Sequence, residues 1–419
     1  SGPCKNAFVS MDSLYALARE DLAAQPPEAQ LYLRYASLAN RANAAACPSD
    51  LDALRGALSE ALNSTSLIER VSWPAAVDAS RLLYRLDLRD YAWERSRTVN
   101  GVSHANAWEA LGASTAFAVA LTGPDADPLR AATGSEVPVL PADVLVYQLS
   151  QPELYLPLTD TPATLDALLT RLGIDAEANR ASGAAARAGT TASLISRQDR
   201  YIERQPVLGR PGVWITFDFA SENPRSQGFT SPIELGSSGG AVVYPLPNSL
   251  PGYALFDAAG ALVPRSEILM DTNQNSFQAI AAASCVDCHS QGLIVAVDEV
   301  RDQVEASPEL YSAEERAAVA RLYPRPSAWA ALVRADNVAY QGRRTSIGGN
   351  NWTAVSFRFS DGQLRSDKAG DLMLPQAAAT AELTGPEPED RDDFAASFQQ
   401  RLCVSLASAR NRPRNCAAR

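Results

Sequence analysis

Lysine is nearly missing from this chain. Of 419 residues only Lys5 and Lys368 carry it, and 37 basic residues face 48 acidic ones, for a net charge of −11. No basic tract can gather phosphates, which argues against nucleic acid as a partner. Long apolar runs are missing too. The longest stretch, "ALGASTAFAVALTG" at 110–123, is too short to span a bilayer, so no transmembrane segment is expected. The chain opens "SGPCKNAF", with no initiating Met and no basic-plus-apolar leader, and is read as a processed mature form. Histidine occurs twice, methionine three times and cysteine six times.

The scarce residues are not scattered. "AAASCVDCHSQGL", 281–293, holds Cys285, Cys288 and His289. The other four cysteines fall as a pair near each end, Cys4 with Cys47 and Cys403 with Cys416. Two terminal disulfides are the economical pairing and imply an oxidising compartment. Four free buried thiols are the competing reading.

Helical spacing of apolar residues marks "SMDSLYALAREDLAAQ" with Ser10 as cap, "PPEAQLYLRYASLANRANAAA", and "PSDLDALRGALSEALN" capped by Ser49 or Asp50. "RLLYRLDLRDYAW" alternates like a strand running into a loop. "PADVLVYQLS", "TPATLDALLTRLG" and "TTASLISRQDRYIER" are expected as helices, with "NRASGAAARAG" a loop between the last two. The period then changes to two. "GVWITFDFA", "GGAVVYPLP" and "GYALFDAAGALVPR" read as strands, the last as a hairpin turning at "DAAG". Helices follow the Cys-His segment, "TAVSFRFSDGQLRS" is a hairpin turning at Asp361-Gly362, and "RDDFAASFQQRLCVSLASAR" closes the chain as a helix. The expected class is α+β: a helical N-terminal half, central antiparallel strands and hairpins, and a helical C-terminal part.

Cys285-Val286-Asp287-Cys288-His289 has the C-x-x-C-H spacing of covalent c-type haem attachment. Two thiols three positions apart project from one turn and reach the two vinyl groups of one haem. The adjacent imidazole then takes the iron. A redox C-x-x-C pair belongs in a thioredoxin-like βαβ setting, and a zinc site needs a fourth ligand that the sequence does not offer nearby. One motif implies one covalent haem c. Gly292 is expected to let the backbone approach the ring, or merely to end a turn.

"VVYPLPNSLPGYALFDAAGALV", then "SCVDCHSQGL" and "VDEVRDQV", resembles a group of large bacterial single-haem c-type cytochrome proteins. "LYLRYASLANRANA", "RLDLRDYAW", "LISRQDRYIER" and "GVWITFDF" match the order of segments upstream in that group. The resemblance runs from about residue 15 to 340 and is weaker at 95–140 and beyond 345. It implies export, to the periplasm or outer surface of a bacterium, and one haem. It implies no particular reaction.

Three regions are expected: mainly helical at 1–140, helix then antiparallel strands at 141–265, and a mainly helical haem-binding region at 266–419. The ligand facing His289 across the ring decides between electron carriage and chemistry at an open iron. Met373 and Met270 are the first choices, then His104, with Met11 a core residue and Tyr91 or Tyr253 remote options. An iron with no second protein ligand is the remaining case. Arg85 or Arg89 could meet the haem propionates, although an Arg–Asp network with Asp87 and Asp90 accounts for both. Trp214 reads as core and "GSSGG" at 236–240 as a turn. The expected function is an exported single-haem cytochrome passing electrons to a redox protein partner or a larger electron-transfer assembly. A haem enzyme or gas- or peroxide-binding protein is the first alternative, and a haem-carrying subunit of a respiratory or filamentous assembly the second.

Overall fold

The alternating segments of the middle of the chain become a six-stranded antiparallel meander. Its strands lie side by side in chain order: Ala186–Thr190, Arg200–Val207, Arg210–Asp218, Gly239–Pro245, Pro251–Asp257 and Leu262–Val263. The computed structural model describes residues 4–191, 193, 195–196, 198–220, 229, 231–348, 352, 363–364, 367–375 and 389–416. The fold is α+β, in two units. One is continuous, Gln151–Ser346; the other joins Ser1–Ser150 to Ile347–Arg419. These bounds differ from the three regions expected at 1–140, 141–265 and 266–419.

In the continuous unit the meander is covered by the helix Pro326–Thr345. Trp329 meets Trp214 edge to face at 5.3 Å. Asp336, one helical turn before Tyr340, accepts from Trp214 Nε1 at 2.8 Å and Arg204 Nε at 2.7 Å, while the Tyr340 hydroxyl donates to the Gly212 carbonyl at 3.1 Å. Trp214 is thus a core residue. On the strand Arg200–Val207, Glu203 is fully buried between two guanidiniums. Arg180 Nε and Nη2 approach it at 2.9 Å, Arg187 Nη2 at 2.5 Å, and the Gln205 amide donates at 2.6 Å. Burial alone would raise the Glu203 carboxyl, but Arg187 and Arg180 hold it below its ordinary value.

The discontinuous unit is built on a small mixed sheet. Leu33–Ser37 pairs antiparallel with Leu83–Asp87 and parallel with Val139–Pro141, and Ala75–Ala76 pairs with Leu83–Asp87 at the other edge. The helix Met11–Ala23 starts where its sequence says. Ser10 accepts from Ser13 N, and Leu14, Tyr15, Ala18 and Leu22 form its buried stripe. Pro48–Ser64 is capped by Cys47, with Asp50 reaching back to the Cys47 N–H at 3.2 Å. The C-terminal piece is tied to the N-terminal piece by Asn411. Its Oδ1 accepts from the backbone of Asp125 and Ala126, and its Nδ2 donates to Asp12 and Asp125. Cys4 is bonded to Cys47 and Cys403 to Cys416, the two pairings read from the sequence.

Several local expectations are corrected. "LYLRYAS" supplies the strand Leu33–Ser37 between short helices Pro27–Gln30 and Ala39–Asn43, not one long helix. "RYIERQPV" is a strand, and "NRASGAAARAG" is the end of the helix Ala176–Ser182 followed by a fully buried strand. "GSSGG" runs through a bend at Ser238 into the strand Gly239–Pro245, and a Cβ at Gly240 would lie 1.8 Å from the Thr216 carbonyl oxygen. The hairpin expected at Asp361-Gly362 lies outside the described residues.

Candidate functional site

Cys285 and Cys288 stand on a helix of only six residues, Ala283–Cys288, with His289 as its C-terminal cap. A helix this short does not persist on its own propensity; its surroundings hold it. The strand Ala279–Ile280 before it pairs with Arg265–Ser266, the Ser284 hydroxyl accepts from Ile280 N at 2.9 Å, and Asn273 Nδ2 donates to Asp287 at 2.6 Å. The chain turns into the helix through a γ-turn at Ala282, φ 64° and ψ −66°, closed by Ala283 N to Ala281 O at 2.9 Å. A Cβ makes that geometry strained. Replacing Ala282 by Gly is expected to raise unfolding stability by about 1 kcal/mol, the relief exceeding glycine's extra unfolded-state entropy. Ala282→Val is expected to lower it. Urea midpoints of the three proteins check both.

Both motif cysteines are free thiols, three positions and so about one turn apart, and half-buried. Cys285 packs against the apolar cluster of Leu255, Leu269, Ala279 and Ala281. Burial, reinforced by the neighbouring Cys288, pushes the Cys285 thiol up to about 12; burial, then Asp271 and Asp287, push Cys288 up to about 11. Redox-active cysteines need the opposite, an environment that favours the thiolate.

His289 donates its backbone N–H to the Cys285 carbonyl at 2.9 Å. Its ring Nδ1 lies 3.1 Å from the Gly292 carbonyl oxygen. A carbonyl only accepts, so this bond places the ring proton on Nδ1 and leaves the lone pair on Nε2. Burial lowers the His289 pKa to about 4, against the Gly292 hydrogen bond and helped by Arg200 and Arg344, which keeps the imidazole neutral at ordinary pH. The Tyr253 ring lies nearly parallel to the imidazole, 6.0 Å between centroids and 20° between planes. Gly292 has φ 104°, and a Cβ there would meet Asn337 Oδ1 at 2.4 Å, so glycine is required for the close approach of the helix Pro326–Thr345. That approach serves the turn after the motif.

This donor set fits a covalently attached haem. Two unbonded thiols on one turn would take the thioethers, and an adjacent imidazole with an available Nε2 would take the iron. Among the described residues no group of three or more His, Cys, Asp or Glu could hold a metal ion. Among those residues, too, no helix is long and apolar enough to cross a membrane.

The other expected site residues separate by unit. Met270 lies in the continuous unit, half-buried, its backbone N–H on the Ile195 carbonyl at 2.8 Å and next in sequence to Asp271. Met373 belongs to the discontinuous unit. It is 7% exposed in the core cluster with Leu14, Tyr15 and Leu83, and the Asn43 amide faces its sulfur at 3.8 Å. It fills a core, as an adaptable thioether does. Met11 packs on the edge of the same core. His104 ends the short strand Val102–His104, and Tyr91 is buried beside Trp93. Arg85 pairs with Asp21 and Arg89 with Asp87, both at 2.5 Å, which is the intramolecular Arg–Asp pairing that the sequence offered as the alternative to a propionate contact. The arginines bearing on His289 are instead Arg200 and Arg344. Sequence reasoning passed over these two and Asn337. Asn337 and Arg344 share a helix face by their spacing of seven, but nothing local ties that face to residues 289–293. Compared with known proteins, the chain matches no family model, no curated protein and no solved structure.

Proposed function

We propose that this chain is an exported single-haem c-type cytochrome that passes electrons to or from a protein partner, with haem joined through Cys285 and Cys288 and its iron taken by His289. One observation carries the reading: two free thiols a turn apart are followed directly by an imidazole whose Nδ1 proton is committed to the Gly292 carbonyl. When bound, the haem supplies a one-electron couple. The chain's own residues do the rest. The helix Ala283–Cys288 orients the thiols, Gly292 fixes the tautomer, and the cluster of Leu255 and Leu269 presents an apolar wall beside Cys285. Removing water from the surroundings of such a centre tunes its potential. Export is supported by the two disulfides away from the motif. The distal ligand we propose is Met270, the methionine that shares a unit with His289.

The test is an absorption spectrum of ferric and ferrous full-length chain matured with a c-type haem assembly system, with carbon monoxide added to the reduced sample. A low-spin spectrum unmoved by carbon monoxide, turned high-spin and carbon monoxide-binding by Met270→Ala, is the expected result. A high-spin wild type that binds carbon monoxide at once would replace the carrier with a haem enzyme or gas-binding protein. A chain that leaves the assembly system without haem would overturn the reading.

A further inference from the structure

The turn after the motif is held from outside itself. Leu293 N–H donates to Asn337 Oδ1 at 2.6 Å, and Asn337 Nδ2 donates to the Leu293 carbonyl at 2.9 Å. Both polar atoms of one side chain thus close on both backbone groups of one residue, and only this orientation of the amide satisfies the pair. Seven positions further along the same helix, Arg344 Nη1 donates to the carbonyls of Ser290 at 2.7 Å and His289 at 3.2 Å.

The Leu293 N–H and the Gly292 C=O belong to one peptide unit, which is planar and points its two dipolar groups in opposite directions. Asn337 Oδ1 pulls on the N–H from one side. The carbonyl is thereby aimed at the other, where His289 Nδ1 lies at 3.1 Å. The hydrogen bonds run in series through a rigid plane, and each polarises the next. We propose that Asn337 is a positioning residue for His289, with Arg344 steadying the same turn: through the Gly292–Leu293 peptide it sets the tautomer and plane of the imidazole and makes Nε2 a stronger donor. The consequence for iron rests on the haem-binding reading; the consequence for the tautomer does not.

The chain has two histidines, so ring-nitrogen NMR of full-length protein labelled only in histidine is readily assigned with a His104→Gln variant. In chain made without haem, wild type is expected to show His289 as a single Nδ1–H tautomer at neutral pH. Asn337→Ala is expected to mix the tautomers and to speed exchange of the Leu293 amide by about tenfold, one hydrogen bond's worth, with the His104 signals and circular dichroism unchanged. Asn337→Asp keeps the acceptor for Leu293 N–H and is expected to keep the tautomer. In haem-loaded protein, Asn337→Ala is expected to raise the midpoint potential, because a weaker imidazole donor stabilises the ferric state less. An Nε2–H wild type, a folded Asn337→Ala with an unchanged tautomer, or a folded Asn337→Asp with a mixed one would each overturn the proposal. Should the alanine variant fail to fold, the wild-type and aspartate rings decide it. A chain that never acquires haem would defeat the cytochrome reading while leaving these ring measurements to stand.

Discussion

Cys285→Ala and Cys288→Ala together are expected to leave the matured chain with no covalently held haem. Each thioether needs one thiol, and the four remaining cysteines are consumed in disulfides. Each single variant is expected to retain haem through one thioether, with the alkaline pyridine haemochrome band displaced because one vinyl group stays unsaturated. His289→Ala should keep both thioethers and lose the strong proximal ligand. Haem-stained denaturing gels separate these results, since only covalent haem survives denaturation. The fold should tolerate the change. Cys285 lies half-buried on the Leu255 and Leu269 cluster, and removing one sulfur there costs about 1 kcal/mol. Covalent haem persisting in the double variant would remove the motif from its proposed role.

Glu203→Ala is expected to destabilise the continuous unit by about 3–5 kcal/mol, the usual cost of stranding a buried countercharge. Arg187 is 2% exposed and would lose its carboxylate while its other bonds, to the Pro232 and Ile233 carbonyls, hold it in place. Glu203→Gln keeps the shape and one acceptor and should recover part of the loss. The pH dependence has a definite sign. The folded carboxyl is held below its ordinary value, so its contribution is present above the usual glutamate range and lost as pH falls through the depressed pKa. The gap between wild type and Glu203→Ala in urea titrations should therefore be large at about pH 7 and shrink towards about pH 3. A gap that stayed constant with pH would mean the carboxylate acts through packing alone.

Where local pattern and tertiary placement agree, the fold was legible. Met11–Ala23 shows its cap and its stripe, and Gly239–Pro245 and Pro251–Asp257 form the antiparallel strand pair expected there, although both are buried almost throughout. Where they disagree, the tertiary environment won. "LYLRYAS" has helical spacing, yet its residues are buried on both faces between two strands, and burial on both sides erases the alternation that would have betrayed it. "AARAGT" looked like a loop because it is built of small residues. Gly189 shows why they are small: a Cβ there would sit 2.5 Å from both Tyr201 and Val300. At the site, the spacing of Cys285, Cys288 and His289 is local and could be read from the sequence. Their supports could not. Asn337 lies 44 positions from Leu293, and Tyr253 is separated from His289 by three short strands and the motif helix, so only folding brings them together. The surroundings of Met373, one of the two methionines offered first as distal ligand, were equally hidden. Met373 follows the motif as a small cytochrome's ligand would, but its neighbours in space are Leu14 and Tyr15 from the first helix.

The division of the chain also sets an order of events during its synthesis. Residues 151–346 are contiguous, so once Ser346 has emerged the unit carrying Cys285, Cys288 and His289 has every residue it needs. The other unit cannot be complete at that moment. Its strand pair of Leu121–Thr122 with Arg412–Pro413 and its Asn411 bridge wait for the last stretch of chain. Within the motif's own unit, Asn337 and Arg344 are among the final residues to arrive, so the turn beside His289 is still loose while the thiols are already out. A nascent chain therefore passes through an interval in which the motif is present and its clasp, on the helix Pro326–Thr345, is not.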